Sequence, residues 1–127
     1  MNKEYVNDLS CQFKDKVIVV TGSTQGSGAE TAKLFAARGA KAITICGRQE
    51  EKGQNVKTEI ESLGAECIYV KADLSKVEDC KKIISETDKN FGTIHSLVNI
   101  AGYTQRGTIL SATLENYESN FNVNTRA

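Results

Sequence analysis

Residues 17 to 28 read VIVVTGSTQGSG, four aliphatic residues running straight into a loop with three glycines. A β-branched run of this length, closed by a glycine turn, reads as a buried strand. The stretch that follows, Ala29 to Arg38, reads as a helix. At a strand-to-helix turn, backbone N–H groups and the positive end of the helix dipole can bind a phosphate. Glycines there allow a tight turn, close backbone approach to a pyrophosphate, and close packing of helix on strand. An ordinary Gly/Ser turn is the competing reading of the glycines alone. The strand before them and the helix after them favour the phosphate. The spacing over Gly22, Gly26 and Gly28 is G-x-x-x-G-x-G, and no Gly-Lys-Ser/Thr follows to make a nucleotide P-loop.

The rest of the chain alternates in the same way. Short β-branched runs occupy Lys16–Thr21, Ala42–Cys46, Glu66–Val70 and Ile94–Ile100. Between them, Val56, Ile60 and Leu63 form one helical stripe, and Val77, Cys80, Ile84, Thr87 and Phe91 form another. Ser75-x-x-Glu78 predicts a capping box opening the second of these helices. Gly39, Gly64 and Gly92 fall where the helices should stop. Thr113 is the expected N-cap of a last helix, with Leu114, Tyr117, Phe121 and Asn124 on one stripe that points Asn124 inward. Apolar strands spaced by helices predict an α/β fold, a doubly wound parallel Rossmann-type sheet of about four strands and four helices.

Length bounds this to one domain, residues 1–127, with a polar N-terminal extension over 1–12. Sixteen basic and sixteen acidic side chains cancel, which argues against nucleic acid or an anionic membrane as partner. The longest apolar run is far too short to span a bilayer, and the first residues hold no apolar signal core. The four cysteines form no C-x-x-C pair and none lies near His95, so no metal site is expected. Reduced thiols in a cytoplasmic protein, packed as small hydrophobes, are the expectation.

The TGSTQGSG loop resembles the T-G-x-x-x-G-x-G cofactor motif of the short-chain dehydrogenase/reductase family. Three further stretches match it in order: Asp73-Leu74 after the third strand, LVNIAG over Leu97–Gly102, and NFNVNTRA over Asn120–Ala127. The resemblance covers about residues 13 to 127. It implies a cofactor site of Gly22, Ser23, Thr24, Gln25, Gly26, Ser27, Gly28, Asp73, Leu74, Asn99, Ala101 and Gly102. It also implies hydride transfer between a nicotinamide dinucleotide and a small carbonyl/alcohol substrate, usually in a homo-oligomer. The family's second asparagine is replaced here by Ile100.

The cofactor's identity turns on the end of the second strand, where an acid would hold the ribose 2′-OH of NAD and an arginine the 2′-phosphate of NADP. This chain has Gly47-Arg48 and no carboxylate before Glu50. NADP(H) is therefore favoured over NAD(H), against the competing reading of Arg48 as a solvated surface residue. Asp73 alone could be a turn residue, but Ser75 reads as the better cap and frees it.

Reduction of a carbonyl also needs a proton donor of tuned pKa. In the family this is a tyrosine followed four residues later by lysine. Here the residues four beyond Tyr5, Tyr69, Tyr103 and Tyr117 are Leu9, Asp73, Gly107 and Phe121. Only Asn124 matches a catalytic position of the family, in the proton relay; a structural asparagine bonding to backbone is the alternative. By the family layout the fourth strand would be left as an apolar edge, a hazard for a free-standing protein. The expectation is the cofactor half of a longer enzyme, inactive alone. A non-catalytic dinucleotide-binding or interaction module, complete at 127 residues, is the alternative.

Overall fold

The computed structural model describes residues 9–127, so most of the polar 1–12 segment lies outside the described residues. Four strands form one parallel sheet: β1 (Val17–Val20), β2 (Ala42–Gly47), β3 (Glu66–Lys71) and β4 (Ser96–Val98). The helices α1 (Gly26–Ala37), α2 (Glu50–Ser62), α3 (Val77–Phe91) and α4 (Leu114–Phe121) alternate with or follow them. The strand order is β3-β2-β1-β4. The chain moves outward from β1 to β3 and then returns to the other side of β1. That reversal is the topological switch point where open α/β sheets bind ligands, beyond the carboxyl ends of the strands.

The sheet is covered on both faces, which is why β1 and β2 carry apolar residues without alternation. Ile18, Val20, Ile43 and Ile45 meet Ala29, Ala32 and Ala36 of α1 and Val56 and Ile60 of α2. The three alanines leave room for α1 to lie close to the sheet. On the other face Val19, Cys46 and Val70 meet Ile83 of α3. Thr44 and Thr87 are fully buried there and satisfy each other through a 2.8 Å hydroxyl pair, with Thr87 also donating to the Ile83 carbonyl. The Cys46 and Cys67 thiols are buried, and burial pushes them up to about 11 and about 12. Both are packing groups, whereas Cys11 is exposed.

The predicted stripe on α3 is displaced. Ile83 and Thr87 face the sheet, while Ile84 and Val77 are exposed. Ile84 faces the hollow beside β4 instead, together with Leu97 and Val123.

The expected strand over Ile94–Ile100 shortens to three residues, and side chains end it at both sides. The His95 imidazole Nδ1 accepts from the Val17 N–H at 3.0 Å, taking the place of a ladder carbonyl. Thr21 Oγ1 accepts from the Ile100 and Ala101 N–H groups, turning the chain out of the sheet. β4 lies at a sheet edge, with Leu97 exposed.

The last helix differs from its predicted form. Thr113 caps α4, accepting from the Asn116 N–H. The α-helical period ends at Phe121, and Asn122–Arg126 continue as a π turn. Leu114, Tyr117 and Phe121 are exposed, and Asn124 is exposed rather than turned inward.

Candidate functional site

The glycine loop begins where β1 leaves the sheet and ends inside the first turn of α1. Gly22 stands at φ +62°, a left-handed conformation that side chains resist. A Cβ there would sit 2.7 Å from the Ala101 Cα, so the loop and the 101–102 turn touch backbone to backbone. Gly28 allows the second close approach, because a Cβ on it would run into the Gly22 carbonyl. Gly26 is different. It too has a positive φ, +57°, but a Cβ would meet nothing within 4 Å. Here the glycine keeps open a space that the protein does not fill.

That space is one cleft. It is lined by Gly22, Thr24, Gln25, Gly26, Ser27 and Gly28 from the loop, and by Gly47 and Arg48 from the end of β2. Asp73 and Leu74 from the end of β3, and Ile100 to Tyr103 after β4, complete it. Of the residues predicted for a cofactor, eleven of thirteen line this cleft: Gly22, Thr24, Gln25, Gly26, Ser27, Gly28, Arg48, Asp73, Leu74, Ala101 and Gly102. Gln25 is the N-cap of α1 but makes no side-chain cap, so its amide leaves the first turn of that helix uncovered toward the cleft.

Two predicted residues stand elsewhere. Ser23 is fully buried; its hydroxyl donates to the Val20 carbonyl at 2.6 Å and accepts from the Cys46 N–H at 3.0 Å. Its side chain ties the loop to β1 and β2 and does not reach the cleft. Asn99 lines the neighbouring hollow beside β4.

Asp73 is held in a local turn, and Ser75 does not cap α3. The Asp73 Oδ1 accepts both the Ser75 N–H and the Ser75 hydroxyl, and Asp79 accepts the Asp73 N–H. The Ser75 hydroxyl is thereby spent, the predicted capping box does not form, and α3 starts after Lys76 without a side-chain cap. Asp73 is itself the turn residue. The Ser75 hydroxyl first, its N–H next, and then the Lys76 and Arg48 charges hold the Asp73 carboxyl below the usual carboxylate range, against the opposing effect of burial. An ionised Asp73 therefore favours this loop above the ordinary aspartate pKa, and that support is lost as pH falls through the lowered value.

Three further residues shape the site: Thr21 opens the glycine motif and Asn124 matches the family's relay position, while Tyr69 carries little sequence signal. Thr21 positions the Ile100–Ala101 turn through its hydroxyl. Tyr69 donates its hydroxyl to the Gly47 carbonyl at 2.8 Å, fixing the residue before Arg48. Asn124 closes the far side: its Nδ2 donates to the Tyr103 carbonyl at 2.7 Å, and its Oδ1 accepts the Tyr103 N–H at 2.8 Å. The side-chain amide thus holds the turn after Gly102 as a paired strand would.

A family model described as short chain dehydrogenase matches residues 16–127. The chain belongs to the short-chain dehydrogenase family. An uncharacterized oxidoreductase of Thermotoga maritima is 35% identical over 114 residues, covering 90% of this chain and 44% of that protein. A short-chain dehydrogenase from Burkholderia cenocepacia, solved in complex with NADP, superposes with a TM-score of 0.86 at 33% identity, over 90% of this chain and 46% of that one. An NADH-dependent reductase complexed with NAD superposes with a TM-score of 0.84 at 25% identity, over 92% and 49%. The chain thus spans less than half the length of these relatives. It is an oxidoreductase-family chain with an α/β Rossmann-like sheet. Among the described residues no helix is long and apolar enough to cross a membrane.

Proposed function

We propose that this chain holds NADP(H) for a short-chain oxidoreductase that interconverts a carbonyl and an alcohol. The observation that carries the reading is the empty side of Gly26. A left-handed glycine with nothing near its missing Cβ, at the uncovered N-terminus of α1, suits a pyrophosphate. The bound dinucleotide would supply the hydride.

The chain's own residues divide the remaining work. The loop from Gly22 to Gly28 offers backbone N–H groups and the helix dipole to the diphosphate. Arg48 is exposed at the cleft and makes no ion pair among the described residues, so its guanidinium is free for a 2′-phosphate. Asp73 and Leu74 form the wall expected to meet the adenine. Ala101 and Gly102 bring bare backbone to the nicotinamide-side ribose. Asn124 orders that turn and is the chain's candidate for a proton relay. No tyrosine here is followed at the fourth position by lysine, so the residues present support binding and not proton donation.

Titration calorimetry on the purified chain tests the reading. NADPH is expected to bind more tightly than NADH, without turnover. NADH binding as tightly as NADPH would overturn the assignment of cofactor.

A further inference from the structure

A second cation reaches the glycine loop from α2. Lys52, in the first turn of α2, places its Nζ 2.6 Å from the Gln25 Oε1. Gln25 is a cleft residue of the glycine loop, so the ammonium group ties the first turn of α2 to that loop. Two features fix where it stands. Gly53 lies against the Tyr69 ring so closely that any side chain there would collide with it. The same tyrosine is anchored to the Gly47 carbonyl. The first turn of α2 is therefore packed onto β2 and β3, and Lys52 extends from a docked helix. On the other side, the Thr24 side chain lies against Gly47, so the loop and the end of β2 meet directly.

The charge on Lys52 is also uncommitted. Glu50 and Glu51 are its neighbours in the same turn, yet neither pairs with it, and among the described residues it makes no ion pair. An ammonium has three donors, and one is spent on the neutral Gln25 amide. The remaining two are available to a ligand anion.

We infer that Lys52 is a second determinant of specificity for the dinucleotide's 2′-phosphate, bringing to the uncharged Gln25 position a cation that acts beside Arg48. This rests on the NADP(H) reading above. A dianionic phosphate recruits two cations readily, and an exposed pair of this kind contributes about 1 kcal/mol or less. Lys52 is exposed and makes no core contact, so Lys52→Gln is expected to fold normally.

The test is a titration of Lys52→Gln, Lys52→Arg and the unaltered chain with NADPH, NADH and adenosine 2′,5′-bisphosphate. Lys52→Gln should weaken NADPH and the bisphosphate by about fivefold. NADH should be nearly unaffected, and Lys52→Arg should restore most of the loss. An equal loss for NADPH and NADH would make Lys52 a mere tether of the loop and overturn the inference. So would no loss at all. If the unaltered chain does not prefer NADPH, the NADP(H) reading itself falls. If it does and Lys52→Gln keeps the preference, only the role of Lys52 falls.

Discussion

Gly22→Ala should destabilise the chain well beyond Gly26→Ala, the other left-handed glycine of the loop. Two costs coincide at this position. The left-handed backbone at φ +62° penalises any Cβ by about 1–2 kcal/mol. The added carbon would also stand 2.7 Å from the Cα and 2.9 Å from the N of Ala101, which are backbone atoms that cannot rotate aside. Overpacking of that kind typically costs about 1–3 kcal/mol. The sum, roughly 2–5 kcal/mol, is a large share of the stability of an ordinary domain. Gly26→Ala is the internal control. It carries the same backbone penalty but meets open space, so it should cost only about 1–2 kcal/mol in stability. Urea unfolding followed by circular dichroism measures both. Equal midpoints for the two variants would mean that the loop does not touch the turn at Ala101.

The second large effect concerns binding. Arg48→Gln should cost NADPH affinity roughly 10- to 100-fold, because a hydrogen-bonded charge contributes about 1.5–3 kcal/mol. NADH affinity should change little, because nothing in that ligand needs the guanidinium. The loss should shrink at high salt as screening weakens the charge interaction. Arg48 is exposed and makes no ion pair among the described residues, so folding is expected to be preserved. A parallel loss for both dinucleotides would show that the residue shapes the cleft without reading the phosphate.

The features visible in the sequence were those whose meaning is local. Aliphatic runs and helical stripes named four strands and four helices in the right order, because a sheet covered on both faces leaves that pattern in the chain. The glycines marked the cleft because their reason is backbone geometry at their own positions. What could not be read depended on partners far away in sequence. Ser23 looks like any polar loop residue until Val20 and the Cys46 N–H are seen to consume its hydroxyl. The Asp73 turn draws on Asp79 as well, which accepts the Asp73 N–H from the first turn of α3. Ile83 and Ile84 are adjacent and equally apolar, so the stripe alone could not tell which one faces the sheet. Thr21 stood in plain view beside Gly22, but its contacts lie some eighty residues ahead in the chain. Asn124 shared a helical stripe with Phe121, and the π turn broke that register.

On the reading proposed above, the cleft around Gly26 holds the dinucleotide. Amide chemical shifts of the 15N-labelled chain, followed during addition of NADPH, test it most directly. Shifts are expected to concentrate at Gly22, Gly26, Ser27, Gly28, Arg48, Asp73 and Gly102, with little change at Leu97 or Ile84 beside β4. Shifts confined to the hollow at β4, or none at saturating NADPH, would contradict it.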